Sequence, residues 1–106
     1  MSPPPAPLTR AATAAHSRSL TRAAQAVVAA YAVKVTARVR VRPDFVVAVE
    51  ISRLGERPTV STIAAAKVRG CLSDASPVTA VDLVCAEIHA MMRGIGASMQ
   101  VGLFTE

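Results

Sequence analysis

Aromatic side chains are scarce in this sequence. The chain has no tryptophan, one tyrosine and two phenylalanines among 106 residues. Proteins that read single-stranded nucleic acid stack bases on aromatic rings, so this composition offers little surface for that mode of recognition. The hydrophobic fraction is nevertheless 52%, which is enough for one domain with a core of Ala, Val, Ile and Leu.

Groups that support catalysis or bind metals are also few. The two cysteines, Cys71 and Cys85, have no second Cys or His at zinc-ligand spacing, so we expect reduced thiols in the core. Neither His16 nor His89 can be matched with a nucleophile and a carboxylate as a triad. The sequence therefore predicts no enzymatic activity, no cofactor and no metal site.

Long apolar runs are missing. A membrane-spanning helix needs about 18 or more consecutive apolar residues, and no stretch of this chain approaches that length. The proline-rich start, with no early positive charge, is not typical of a secretory signal. We therefore expect a cytoplasmic protein that does not associate with membranes.

Acidic residues are absent from the first 43 positions, which carry seven basic side chains. The remainder carries five basic and seven acidic residues, and the net charge is +5. Such asymmetry can mark a surface that faces nucleic acid. It can also reflect only the composition and solubility of an Ala- and Arg-rich chain.

Apolar periodicity predicts the first elements. A proline-rich tail at 1–7 precedes a helical segment at 8–32, and the main domain follows at 33–106. The Ala-rich stretch 8–30 favours a helix. Its apolar stripe comprises Leu20, Ala24, Val27 and Tyr31, which recur at helical spacing.

Strict alternation over 33–42 predicts a strand with one buried and one basic face, and 45–54 predicts its hairpin partner. A three-residue loop at 43–45 keeps the apolar side chains on one face, because a one-residue slip would reverse every side chain. That loop pairs Val41 with Val47, Val39 with Val49, Ala37 with Ile51 and Arg38 with Glu50. The basic face is a candidate for phosphate contacts through Lys34, Arg38, Arg40 and Arg42.

The second half of the chain contains one clear helix prediction and one open choice. Residues 59–72 have apolar positions at helical spacing. Residues 78–88 fit a helix that begins near Pro77, and they fit equally a short strand over 78–84 that is buried on both faces. The first choice gives an α+β protein with the order helix, hairpin, helix, helix.

The second choice gives an α/β fold: N-terminal helix, β-hairpin, helix, buried strand and C-terminal helix. With that order the chain resembles the STAS domain, the fold of bacterial anti-sigma-factor antagonists. The stretch 45–55 is similar to the family's second strand and 58–72 to its first helix. The run Val78-Thr-Ala-Val-Asp-Leu83 is similar to its central strand, and Gly94-Ile95-Gly96 to the start of its second helix.

The resemblance implies a non-catalytic regulatory module that binds a protein, such as an anti-sigma factor or a kinase-like regulator. The family's switch loop carries a hydroxyl that is phosphorylated, but this chain has no hydroxyl there and ends before the family's last strand and helix. The resemblance therefore implies a degenerate or truncated relative. Its partner-binding loop would comprise His89, Ala90, Met91, Met92, Arg93 and Gly94.

Two other functions follow from the residues alone. A small basic nucleic-acid-binding protein would use the acid-free first 43 residues. An oligomeric structural subunit would self-associate to cover an incomplete sheet edge.

Overall fold

The computed structural model describes residues 6–73 and 77–96. A long helix comes first, three strands follow, and two helices end the described chain. The elements are α1 (Arg10–Val28), β1 (Thr36–Val41), β2 (Val47–Ser52), β3 (Thr59–Ile63), α2 (Ala65–Ser73) and α3 (Pro77–Gly94). The strands form one antiparallel sheet in the order β1-β2-β3.

The first helix matches the element predicted over 8–30. Thr9 caps it, and its hydroxyl accepts a hydrogen bond from the Ala12 N–H at 3.1 Å. The residues that α1 and its C-terminal end bury are Leu20, Ala24, Val28 and Tyr31. Val27, which the spacing placed in the stripe, is half-buried beside Val28. This apolar stripe packs α1 on the sheet.

The hairpin register is confirmed at every predicted pair. Val41 lies opposite Val47, Val39 opposite Val49, Ala37 opposite Ile51 and Arg38 opposite Glu50. The Arg42 N–H donates to the Val46 carbonyl at 2.9 Å, which leaves the three-residue loop 43–45. Phe45 closes that loop with a φ of 71°, a left-handed conformation that non-glycine residues seldom adopt. Its ring is buried in the core.

The helix predicted over 59–72 is wrong in its first part. Residues Thr59–Ile63 form β3, which pairs antiparallel with β2, and the helix begins only at Ala65. The stretch is rich in β-branched residues, which favour strands. It also pairs with the edge of β2 that β1 leaves open. The spacing of apolar residues in the sequence does not predict this tertiary contact.

The strand predicted over 78–84 is also wrong, because these residues lie inside α3. The fully buried side chains Val84, Ile88 and Met92 recur every four residues and form one helix face against the core. The same helix continues through His89, Ala90, Met91, Met92, Arg93 and Gly94. The loop that the STAS resemblance implied at these positions is therefore a helix.

Mixed helix and sheet architecture is confirmed. Of the orders predicted, helix, hairpin, helix, helix lies nearest to the structure, with β3 added after the hairpin. Both α1 and α3 pack on the same face of the sheet, where β1 and β2 bury every second side chain. The other face of the sheet carries no helix in the described part of the chain. The first five residues of the predicted proline-rich tail, and residues 97–106 of the predicted main domain, lie outside the described residues.

Candidate nucleic-acid interface

Helix α1 lies along the outer edge of β1 and hydrogen-bonds to it through hydroxyl groups. The Thr21 hydroxyl accepts from the Val39 N–H at 2.9 Å and donates to the Val39 carbonyl at 3.0 Å. The Ser17 hydroxyl accepts from the Val41 N–H at 2.9 Å. Four helical residues rise about 6 Å and two strand residues about 6.7 Å, so the two spacings match. The contact fixes α1 antiparallel to β1.

This arrangement brings four arginines to one groove. Arg18 and Arg22 each follow a hydroxyl residue of α1 by one position, which is about 100° around the helix. Arg38 and Arg40 project from the open face of the sheet. All four are exposed and line a groove of about 500 Å³ between α1 and β1. We call this the basic groove; Ser17, Thr21, Gln25 and Val39 complete its lining.

Among the described residues, no carboxylate forms an ion pair with the arginines of the basic groove. Within residues 6–73 and 77–96, the ion pairs join Arg42 to Asp44 and Arg53 to Glu56, each at 3.4 Å. None of the four groove arginines makes an ion pair in that part of the chain. Exposed guanidinium groups without internal partners keep their donors for an external anion, and planar guanidinium suits phosphate.

The positive surface continues from the basic groove onto the open face of the sheet. A shallower depression there is lined by Arg38, Arg40, Ala48, Glu50 and Val60. Glu50 lies opposite Arg38 in the strand register and is the acidic group at this margin. It therefore sets one boundary of the positive surface.

The structure separates the basic residues that the sequence grouped together. Arg38 and Arg40 lie in the basic groove. Arg42 follows β1 and pairs with Asp44, whereas Lys34 lies before β1 at the rim of a different, apolar cleft. The predicted basic face thus contributes two of its four members to the groove.

Arg18 and Arg22 were not predicted as site residues. Their spacing of four places them on one helix face, and Ser17 and Thr21 have the same spacing one position earlier. That paired pattern and the acid-free first 43 residues are the sequence signals for the groove. They do not indicate which strand edge the helix covers, because that depends on the packing of the whole domain.

The partner-binding residues predicted at 89–94 are divided between the core and the surface of α3. Met91 and Met92 are buried, and the half-buried His89 ring is hydrogen-bonded through Nδ1 to the Tyr31 hydroxyl. Ala90, Arg93 and Gly94 are exposed on α3. The buried members stabilise the fold and do not present a contact surface.

An apolar cleft opens at the opposite end of β1 from the hairpin loop. It has a volume of about 770 Å³, and its walls come from the end of α1, the α1–β1 connector and the end of β2. The Leu54 side chain beside it is fully exposed. A large exposed aliphatic side chain at an apolar cleft is typical of protein-contact surfaces.

Cys85 lies on α3, outside the basic groove. Burial raises the pKa of the Cys85 thiol, and the negative charge of Asp82 raises it further; Cys85 is a free thiol. The side chain of Cys71 lies outside the described residues. No group of His, Cys, Asp and Glu that could hold a metal ion occurs among the described residues.

No helix in the described part of the chain is long and apolar enough to cross a membrane. Comparisons with known proteins give no match to any family model, to any curated protein or to any solved structure.

Proposed function

We propose that this chain is a small, non-catalytic nucleic-acid-binding protein that grips the phosphate backbone in the basic groove. The observation that carries the proposal is the convergence of Arg18 and Arg22 with Arg38 and Arg40. Two elements far apart in sequence supply these side chains, and none has an acidic partner in the described residues. The proposal keeps the cytoplasmic location expected from the sequence.

The chemistry of the groove favours binding to the backbone over recognition of bases. Tyr31 and Phe45 are the aromatic side chains of the described residues, and both are buried. No ring is therefore available there for stacking on a base. Hydroxyl and amide groups beside the arginines, from Ser17 and Gln25, are of the kind that contact phosphate oxygens. We expect affinity that depends weakly on sequence and strongly on salt.

The test is fluorescence anisotropy of a labelled duplex at increasing salt. If all four arginines contact phosphates, log K should fall against log salt with a slope of about −3.6, because each contact contributes about −0.9. The double variant R18Q/R22Q removes half of the contacts, so its slope should be shallower by about 1.8. Non-specific dissociation constants of this kind lie at about 10⁻⁴ to 10⁻⁶ M at physiological salt.

The variant R53Q/R57Q is the matched control. It removes the same charge from two exposed residues after β2, outside the basic groove, and its slope should remain near that of the native protein. An equal change of the slope in both variants would mean that net charge, rather than the groove, drives binding. Absence of binding at about 50 mM salt would contradict the proposal itself.

Protein-partner binding is the second candidate function, as the STAS resemblance implied. Its support comes from the apolar cleft, where Leu54 is fully exposed, rather than from residues 89–94. Loss of nucleic-acid binding in the experiment above, with a folded protein, would leave this cleft as the better lead.

A further inference from the structure

The two edges of the sheet differ in a way that points to self-association. On the outer edge of β1, hydroxyls of α1 occupy the N–H groups of Val39 and Val41. On the outer edge of β3, no backbone or side-chain group among the described residues makes such contacts. Unpaired strand edges are templates for pairing with another chain.

The register identifies which groups face outward on β3. In an antiparallel pair, alternate residues direct their N–H and C=O groups to the partner strand. The Arg42 N–H donates to the Val46 carbonyl, so Val46 directs its backbone groups toward β1. The residues at odd spacing from Val46, which are Val47, Val49 and Ile51, therefore direct their N–H and C=O groups away from β1 and toward β3. Their partners on β3 are Ile63, Ser61 and Thr59. Val60 and Thr62 therefore direct their N–H and C=O groups to the open edge.

That pattern is complementary to itself. We propose that β3 of a second copy of this chain pairs antiparallel with it, about a twofold axis at Ser61. Val60 then lies opposite Thr62 of the other copy, and each such pair exchanges two backbone hydrogen bonds. The twofold axis repeats the pair, so the outward groups of Val60 and Thr62 are satisfied in both copies. The result is a continuous sheet with twice the strands of one chain.

The residues of β3 favour this pairing. The strand Thr59–Ile63 has no charged residue and no proline within it, whereas natural edge strands are usually protected by such residues. Val60 is 57% exposed on the open face of the sheet. Cross-strand contact between Val60 and Thr62 of the other copy would cover part of that apolar surface.

Helix α2 packs on α3. Its Arg69 guanidinium lies 5.7 Å from the centre of the Phe45 ring at the β1–β2 turn. Among the described residues, no backbone hydrogen bond joins α2 to the outward groups of Val60 and Thr62. Pairing through one short strand buries little area, so the dimer should be weak and concentration-dependent.

The test uses two charge variants of the full chain and sedimentation equilibrium from about 1 to about 500 µM. In V60K/T62K, like charges lie directly opposite each other across the proposed interface. In V60K/T62E, opposite charges do. Both positions are exposed, so each variant should keep the native unfolding midpoint. We expect the dissociation constant to rise about tenfold or more in V60K/T62K and to stay close to the native value in V60K/T62E.

Amide hydrogen exchange gives the second measurement. The Val60 and Thr62 amides should become more protected as concentration rises, whereas Val39 and Val41 should be protected at every concentration. A native protein that is monomeric throughout the concentration range would overturn the proposal. Protection of the Val60 and Thr62 amides in such a monomer would mean that another part of the same chain covers the edge of β3. A dimer that persists unchanged in V60K/T62K, or that is weakened equally in both variants, would place the interface elsewhere and overturn it as well.

Discussion

At the scale of single residues, Thr21 has more structural importance than its type suggests. Its hydroxyl makes two hydrogen bonds with the backbone of Val39, which is buried. A threonine within a helix is usually neutral or slightly unfavourable. Here the side chain hydrogen-bonds to a strand edge that no other strand of the described residues pairs with. Ser17 does the same for Val41, so the two residues hold α1 against β1 and define one wall of the basic groove.

We predict that T21V destabilises the protein by about 1–3 kcal/mol, because the nearly isosteric side chain leaves the Val39 N–H and C=O without partners. The measurement is urea denaturation, read as a lower midpoint at an unchanged slope. The control is T62V on the exposed face of β3, where no hydrogen bond to the side chain is present among the described residues. A T21V protein as stable as T62V would show that water replaces the hydroxyl at no cost.

At the scale of elements, local sequence patterns predicted the helices and strands that bury only one face. The alternation of apolar residues with Thr and Arg in β1 favoured the observed hairpin register, because a slip by one residue would place Val39 and Val49 on opposite faces. The stripe of α1 was predictable for the same reason. In both cases the polar residues indicate which face meets the core.

The remaining elements depend on contacts that short patterns do not encode. Residues 78–88 are apolar on too many sides for periodicity to separate a buried strand from a helix, and the helix is settled by the packing of Ile88 and Met92 in the core. β3 is a strand because β2 offers it an edge. The basic groove was only half predicted because Arg18 and Arg22 come near Arg38 through the docking of α1.

The docking of α1 depends on a small residue at its contact with the sheet. Ala24 is fully buried, with 0% exposure, so we predict that A24L forces α1 outward and costs about 1–3 kcal/mol. A26L on the exposed face of the same helix should stay within about 0.5 kcal/mol of the native protein. Thermal or urea unfolding compares the two.

The same substitution should widen the spacing between α1 and β1. A24L should therefore weaken duplex binding in the anisotropy measurement, whereas A26L should leave it unchanged. Destabilisation by A24L with full retention of binding would separate the groove from the helix–sheet contact and contradict this account.

At the scale of the whole molecule, folding concentrates a charge that the sequence spreads out. The net charge is +5 over 106 residues, yet four of the arginines line one groove. The unfolded chain holds Arg18 and Arg40 far apart on average, so it cannot offer the same site. A polyvalent anion should therefore bind the folded state better than the unfolded state and raise its stability.

We predict that inorganic tripolyphosphate raises the melting temperature of the native protein. At about one hundred times its dissociation constant, an anion that binds only the folded state contributes about 2.7 kcal/mol. For a domain of this size each kcal/mol corresponds to about 4–8 °C. The shift should be much smaller in R18Q/R22Q, which lacks one wall of the groove, and nearly full in R53Q/R57Q. Sodium chloride at equal ionic strength controls for screening, and an equal shift in all three proteins would mean that the anion acts on net charge without using the groove.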